Sequence, residues 1–146
     1  MRKLRMNEMT VARFLERYRV EFLEDIQNLI RIPSVSKPDK YGEYPFGKEC
    51  ARVLDIALAK AKELGFETEN HEYYCGSILM PGTENGEIGI FSHLDVVPEG
   101  DGWLHDPYTP YVRDGWLYGR GSADNKGAAV TALYAMRYLK ENGIQL

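Results

Sequence analysis

The sequence predicts an α/β fold, and three observations carry that prediction. Segments with helical periodicity and segments with extended character follow one another in the order helix, helix, strands, helix. The run Ile88-Gly89-Ile90-Phe91 is short, apolar and bounded by turns, as expected of a strand buried on both faces. The glycine-rich stretch from Gly119 to Gly127 leads from extended chain straight into a helical pattern.

The first helix is expected over about Asn7 to Ile30. Leu15, Tyr18, Phe22, Ile26 and Leu29 recur at spacings of three and four and form one apolar stripe. Asn7 or Thr10 is placed to cap its start, and Pro33 stops it. Residues 33–47 contain Pro33, Pro38, Gly42, Pro45 and Gly47 and read as a loop. A second helix follows from Lys48 to Leu64. Val53, Leu54, Ala57, Leu58, Ala61 and Leu64 form its buried face, and Gly65 is placed for a left-handed cap.

Extended chain is expected at Phe66–Thr68 and Tyr73–Met80, then a turn at Glu84-Asn85-Gly86. Residues 92–118 form a long connection with three prolines and five acidic residues, and connections of that length are usually functional. Inside it, residues 111–118 read as a hairpin with an Asp114-Gly115 turn. The last helix is expected from Lys126 to Glu141, ended by Asn142-Gly143. Its early face, with Gly127, Ala128, Ala129, Ala132 and Ala135, is small enough to lie close to a sheet.

Composition excludes several classes. The 146 residues are 44% hydrophobic and 27% charged, enough for one domain with a real core. A net charge of −4 offers no basis for nucleic-acid binding. No run of 18 apolar residues exists to span a membrane, and the basic opening Met1–Arg5 lacks the apolar run of a signal peptide. Cys50 and Cys75, outside any Cys-x-x-Cys spacing, read as two partly buried thiols of a cytoplasmic protein.

The chemistry concentrates in two stretches. Ser92-His93-Leu94-Asp95 puts an imidazole and a carboxylate two residues apart beyond an apolar strand. In extended chain such residues point to one side. Imidazole is a good zinc ligand, and a carboxylate on its second nitrogen fixes tautomer and orientation. Gly119-Arg120-Gly121-Ser122-Ala123-Asp124-Asn125-Lys126-Gly127 puts a further carboxylate at a helix start. There the backbone favours negative charge. Taken alone, His93 also fits a surface histidine and Asp124 a helix N-cap. His105 and His71 read as solvated, and Trp103, Tyr108, Tyr111 and Trp116 as packing for the long connection.

Three ordered blocks resemble a known family. They are Leu29-Ile30-Arg31-Ile32-Pro33-Ser34-Val35, Ser92 to Pro98 with Gly102-Trp103 and Asp106-Pro107-Tyr108, and Gly119 to Gly127. Residues 26–142 resemble the N-terminal part of the catalytic domain of the zinc metallopeptidases that include peptidase V, carnosinase, aminoacylase and succinyl-diaminopimelate desuccinylase. The runs Pro98–Trp103 and Tyr74-Cys75-Gly76 look closest to the peptidase V-like dipeptidases. The resemblance implies a partial zinc-peptidase-like domain over residues 1–146, a mixed sheet flanked by helices, with the lid domain absent.

It also implies that His93 binds one of two zinc ions (Mn or Co could substitute), that Asp124 bridges both, and that Asp95 orients His93 as a catalytic residue. A cis peptide at Asp124–Asn125 is implied too. The activity implied is hydrolysis of a small peptide, a dipeptide of the Xaa-His type, through a zinc-activated water with a glutamate moving the proton. An N-acyl-amino-acid deacylase or carboxypeptidase shares these blocks. The family's Glu-Glu pair, a further acidic ligand and a late histidine have no counterpart after Asp124, and Glu141 sits on a helix expected to lead away. Weak metal binding and no meaningful hydrolysis by the isolated chain are therefore expected. A non-catalytic remnant that self-associates through an unpartnered face is the different-class alternative.

Overall fold

The structure is a computed structural model that describes residues 9–38, 41–83 and 85–146. It is mixed α/β, with three helices and two small antiparallel sheets. The expected cap Asn7 and turn residue Glu84 lie outside the described residues.

Helix α1 spans Val11–Ile30, and the Thr10 hydroxyl accepts from the Arg13 amide at 3.3 Å, so the helix begins later than expected. Its stripe faces the core as expected from Tyr18 to Leu29, but the first position is Phe14 rather than Leu15. Leu15 is 54% exposed, while Phe14 is buried against Tyr18 and Tyr138 with ring centroids 4.8 and 5.3 Å away. The spacing 14, 18, 22, 26 is a run of i,i+4 neighbours, and the aromatic pairings on it decide which face turns inward.

Helix α2 spans Lys48–Glu63. Its end is a Schellman cap, with the Phe66 amide on Ala61 O at 3.0 Å, the Gly65 amide on Lys62 O at 2.9 Å, and Gly65 at φ 78°. Strands β1 (Glu67–His71) and β2 (Cys75–Leu79) then pair antiparallel from Glu67 opposite Leu79 to His71 opposite Cys75. Tyr73, expected in a strand, instead sits in the turn at φ 61°. Its amide donates to Asn70 Oδ1 at 2.8 Å.

Strands β3 (Tyr111–Arg113) and β4 (Trp116–Tyr118) form the expected hairpin. Asp114 and Gly115 both have positive φ, 52° and 81°, as the turn that matches strand twist requires. Tyr111 and Tyr118 stack across it with centroids 5.0 Å apart.

Helix α3 spans Lys126–Glu141, as expected. It packs on α1 rather than on a sheet. Ala128 and Ala135 are exposed, so the small face is not buried as a whole. The core joins Phe14, Ile26, Leu29 and Ile30 of α1 with Ile32, Val53 of α2, and Val130 and Tyr134 of α3. Beside it, Ala61, Phe66 and Leu133 form a smaller cluster. At its edge the Tyr134 hydroxyl donates to Asp25 at 2.7 Å, and Lys60 meets Glu21 at 2.9 Å and Asp25 at 3.4 Å.

Residues 88–91 are not a buried strand. Ile88, Ile90 and Phe91 are 77%, 64% and 97% exposed, and among the described residues no strand pairs with them. A strand buried on both faces needs neighbours on each edge and cover on each face, and no described element supplies them here. Among the described residues the parallel pairing is one isolated bridge, Val35 to Val96. Cys75 is exposed rather than partly buried, and both thiols are free.

Candidate metal centre

The site begins with how residues 92–96 are held. The Val96 amide donates to Ser34 O at 2.9 Å, and the buried Ser34 hydroxyl donates to Leu94 O at 2.7 Å. This two-point attachment fixes the chain on either side of Asp95. The Ser92 hydroxyl reaches Asn125 O at 3.4 Å and brings the segment to the turn before α3.

His93 then lies between two aspartates. Its Nδ1 is 3.1 Å from the backbone oxygen of Asp95 and 3.3 Å from Asp95 Oδ1. Its Nε2 is 3.0 Å from Asp124 Oδ1. The three residues expected to share a site are thus together, and Asp95 is on the nitrogen that an orienting carboxylate should occupy. Asp124 is not the cap of α3. That position belongs to Asn125, which makes no side-chain cap bond. The Asp124–Asn125 peptide is cis.

Both imidazole nitrogens face oxygen acceptors, and only the protonated ring donates to both. Burial alone would lower the His93 pKa. The bonds to the Asp95 backbone and to Asp124, with the charges of both carboxylates, outweigh it and hold the pKa above the usual histidine value. A proton on Nε2 lies in the space between one nitrogen and one oxygen donor. A divalent cation would compete with it there, since metal ligands must be deprotonated.

The donor types suit zinc, and an outer carboxylate on Nδ1 is the usual support for a ligating histidine. The number of donors falls short of a closed site. Among the described residues no group of three or more His, Cys, Asp or Glu is placed to hold a metal ion. Asp124 is 89% exposed and His93 48%, so the pair is open to a ligand from solvent.

The other candidates do not converge here. The His71 ring nitrogen meets Ser77 Oγ at 2.9 Å, and His105 packs edge-on to Tyr111 at 5.0 Å. Glu141 accepts from the Tyr18 hydroxyl and from Arg137 Nε at 2.9 Å, far along α3. Trp103 and Tyr108 brace the long connection, with Trp103 Nε1 on Glu99 O at 2.8 Å and the Tyr108 hydroxyl on Glu99 Oε2 at 3.1 Å.

Sequence reasoning gave Lys126 no role beyond its place in the motif. It is fully buried, and its Nζ donates to Leu29 O and Ile32 O, each at 2.8 Å. Burial pushes its pKa down to about 8, against the pull of the neighbouring Cys50 and Asp95. One signal was available. A lysine in the first turn of a helix, with no acid there, opposes the helix dipole and needs a partner from elsewhere.

Comparison with known proteins gives the chain's relatives. The pattern of Peptidase family M20/M25/M40 matches residues 89–146, which hold all three site residues. The chain is 42% identical over 125 residues to the Beta-Ala-Xaa dipeptidase of Lactobacillus delbrueckii subsp. lactis, covering 84% of this chain and 26% of that protein. It superposes on the crystal structure of human carnosine dipeptidase 1 with a TM-score of 0.68 at 27% identity. That match covers 88% of this chain and 30% of the other. The chain spans about a quarter to a third of the length of these relatives. The ordered motifs, the family pattern matched over residues 89–146 and the shared fold together support an M20 dipeptidase-like family for this chain.

Proposed function

We propose that this chain supplies part of the metal centre of a zinc-dependent dipeptidase, which hydrolyses the peptide bond of small dipeptides of the Xaa-His class. The observation that carries the reading is His93 held between Asp95 on Nδ1 and Asp124 on Nε2. His93 Nε2 and Asp124 Oδ1 are the atoms that would hold the ion. When bound, zinc supplies Lewis acidity for the attack of water on a peptide carbonyl.

The roles of the chain's own residues follow from their contacts. Asp95 holds the His93 ring in one orientation and keeps the proton on Nδ1, leaving Nε2 for the ligand. Asp124, exposed at the end of its turn, adds negative charge where a cation is to bind. His93 and Asp124 are two donors where a catalytic zinc site needs about three. The 146-residue chain by itself is therefore read as a weak metal binder that does not turn over substrate. Its two unpaired thiols support a reducing compartment such as the cytoplasm.

The test has two arms on the purified chain. Zinc binding is measured by competition with a chromophoric chelator. His93→Ala and Asp124→Ala should each remove it, and retained binding in both variants sinks the metal assignment. Hydrolysis of a dipeptide with C-terminal histidine is followed chromatographically. Turnover by the wild-type chain that His93→Ala abolishes would overturn the incomplete-site reading.

A further inference from the structure

We propose that Lys126 is a positioning residue for the His93–Asp124 pair. Its buried ammonium group caps the C-terminal end of α1 and so fixes the turn that aims Asp124 at His93. The inference rests on the metal-centre reading for one of its two readouts only.

The placement of Lys126 has no local explanation. It is the first residue of α3, where the helix end is already positive, and it is 0% exposed. Its partners are the carbonyls of Leu29 and Ile32, at and just beyond the end of α1. Each also accepts a backbone bond, Leu29 O from the Ile32 amide at 3.1 Å and Ile32 O from the Ser34 amide at 2.8 Å, so Nζ takes the second acceptor site of carbonyls at the negative end of α1. A cation from the start of one helix thus ties itself to the finish of another by two charge-assisted bonds of 2.8 Å.

The same residue closes the turn that carries Asp124. The Lys126 amide donates to Gly121 O at 3.1 Å. Only Asn125 separates the anchor from Asp124. The Asp124 side chain is 89% exposed, so packing around it does not set its direction. The backbone of the turn does, and that backbone is tied to α1 through Nζ. The other half of the pair is tied to the same segment, because Ser34, two residues after Ile32, holds Leu94 and Val96. Residues 29–34 are therefore the shared base on which His93 and Asp124 are aligned.

The test compares Lys126→Met with the wild-type chain, both metal-free. Folding is read by circular dichroism and the His93 ring nitrogens by NMR at one fixed pH. Zinc affinity is then measured by chelator competition. A positioning role predicts a folded variant whose His93 Nε2 signal moves toward that of Asp124→Asn. Its zinc affinity should fall by about 10- to 100-fold, the usual cost of losing an outer support of a metal ligand. A folded variant with the wild-type His93 signal and wild-type zinc affinity overturns the proposal. If the wild-type chain binds no zinc, the metal-centre reading fails and the His93 signal alone decides the role of Lys126. If Lys126→Met does not fold, Lys126→Gln, which keeps one donor group, is read in the same way. Failure of both variants to fold assigns Lys126 to stability alone and overturns the positioning role.

Discussion

Gly127→Ala sets two effects of known size against each other at the turn beneath Asp124. In most helices this change is favourable, since alanine exceeds glycine by about 1 kcal/mol in helix propensity. Here an added Cβ would fall 2.1 Å from the carbonyl oxygen of Ser122 and 3.3 Å from its carbon. Ordinary C···O approach is about 3.3 Å, so the overlap is roughly 1.2 Å. The group that must yield is backbone, not the end of a flexible side chain. It belongs to the turn closed by the Lys126 amide on Gly121 O. Overpacking of this kind costs about 1–3 kcal/mol, more where the backbone is held. The difference is about 0–2 kcal/mol, and because the group that must yield is held backbone the net loss should fall in the upper half, about 1–2 kcal/mol. For a domain of this size that is a fall in Tm of about 2–8 °C.

The assay is urea unfolding followed by far-ultraviolet circular dichroism. Ala128→Gly is the control one residue along, at an exposed position where propensity alone acts and about 1 kcal/mol should be lost. A Gly127→Ala protein as stable as wild type, alongside a control that loses its roughly 1 kcal/mol, would refute the reasoning. It would show that the turn is pliable and that local propensity outweighs the clash.

Three further outcomes are expected. Ile30→Ala empties a fully buried core position between α1, α2 and α3 and should cost about 2–5 kcal/mol in the same unfolding assay; a loss under about 1 kcal/mol would mean that the helices are not packed as described. Tyr134→Phe removes the hydroxyl that donates to Asp25 at 2.7 Å and leaves that carboxylate to Lys60 at 3.4 Å, which should cost about 1.5 kcal/mol; an unchanged midpoint would deny the bond. In the metal-free chain, His93 should titrate above the ordinary value by NMR, and Asp124→Asn should lower its midpoint. Because the folded-state pKa is raised, the imidazolium contacts stabilise the fold fully below about pH 6.5 and are lost as pH rises through the folded-state value. An unmoved midpoint in Asp124→Asn would contradict the Nε2 contact.

The parts of the fold that were legible are those decided within a few residues. Helix α3 was bounded by its periodicity and the Asn142-Gly143 stop, and α2 by Gly65 at φ 78°. The Asp114-Gly115 pair dictates its hairpin, since both residues must adopt positive φ. The failures are tertiary. Leu15 and Phe14 are equally apolar neighbours, and only the aromatic rings of Tyr134 and Tyr138 on α3 decide that Phe14 turns inward. Residues 88–91 have the composition of an interior strand but no partner among the described residues. Composition records the environment a segment is suited to, not whether that environment is supplied.

The site was more legible than the strand expected to lead into it, and the contacts explain why. His93 and Asp95 are two residues apart, so their pairing needs only the local chain held straight, which Ser34 does from both sides. Asp124 comes from 31 residues away. Its anchor is Lys126 on the end of α1, a helix–helix contact that requires no strand beyond Phe91. The pair is thus assembled by the helical core and the 29–35 segment. Order at the candidate centre should follow the stability of α1 against α3, and perturbing the exposed 88–91 run should leave the His93–Asp124 contact in place.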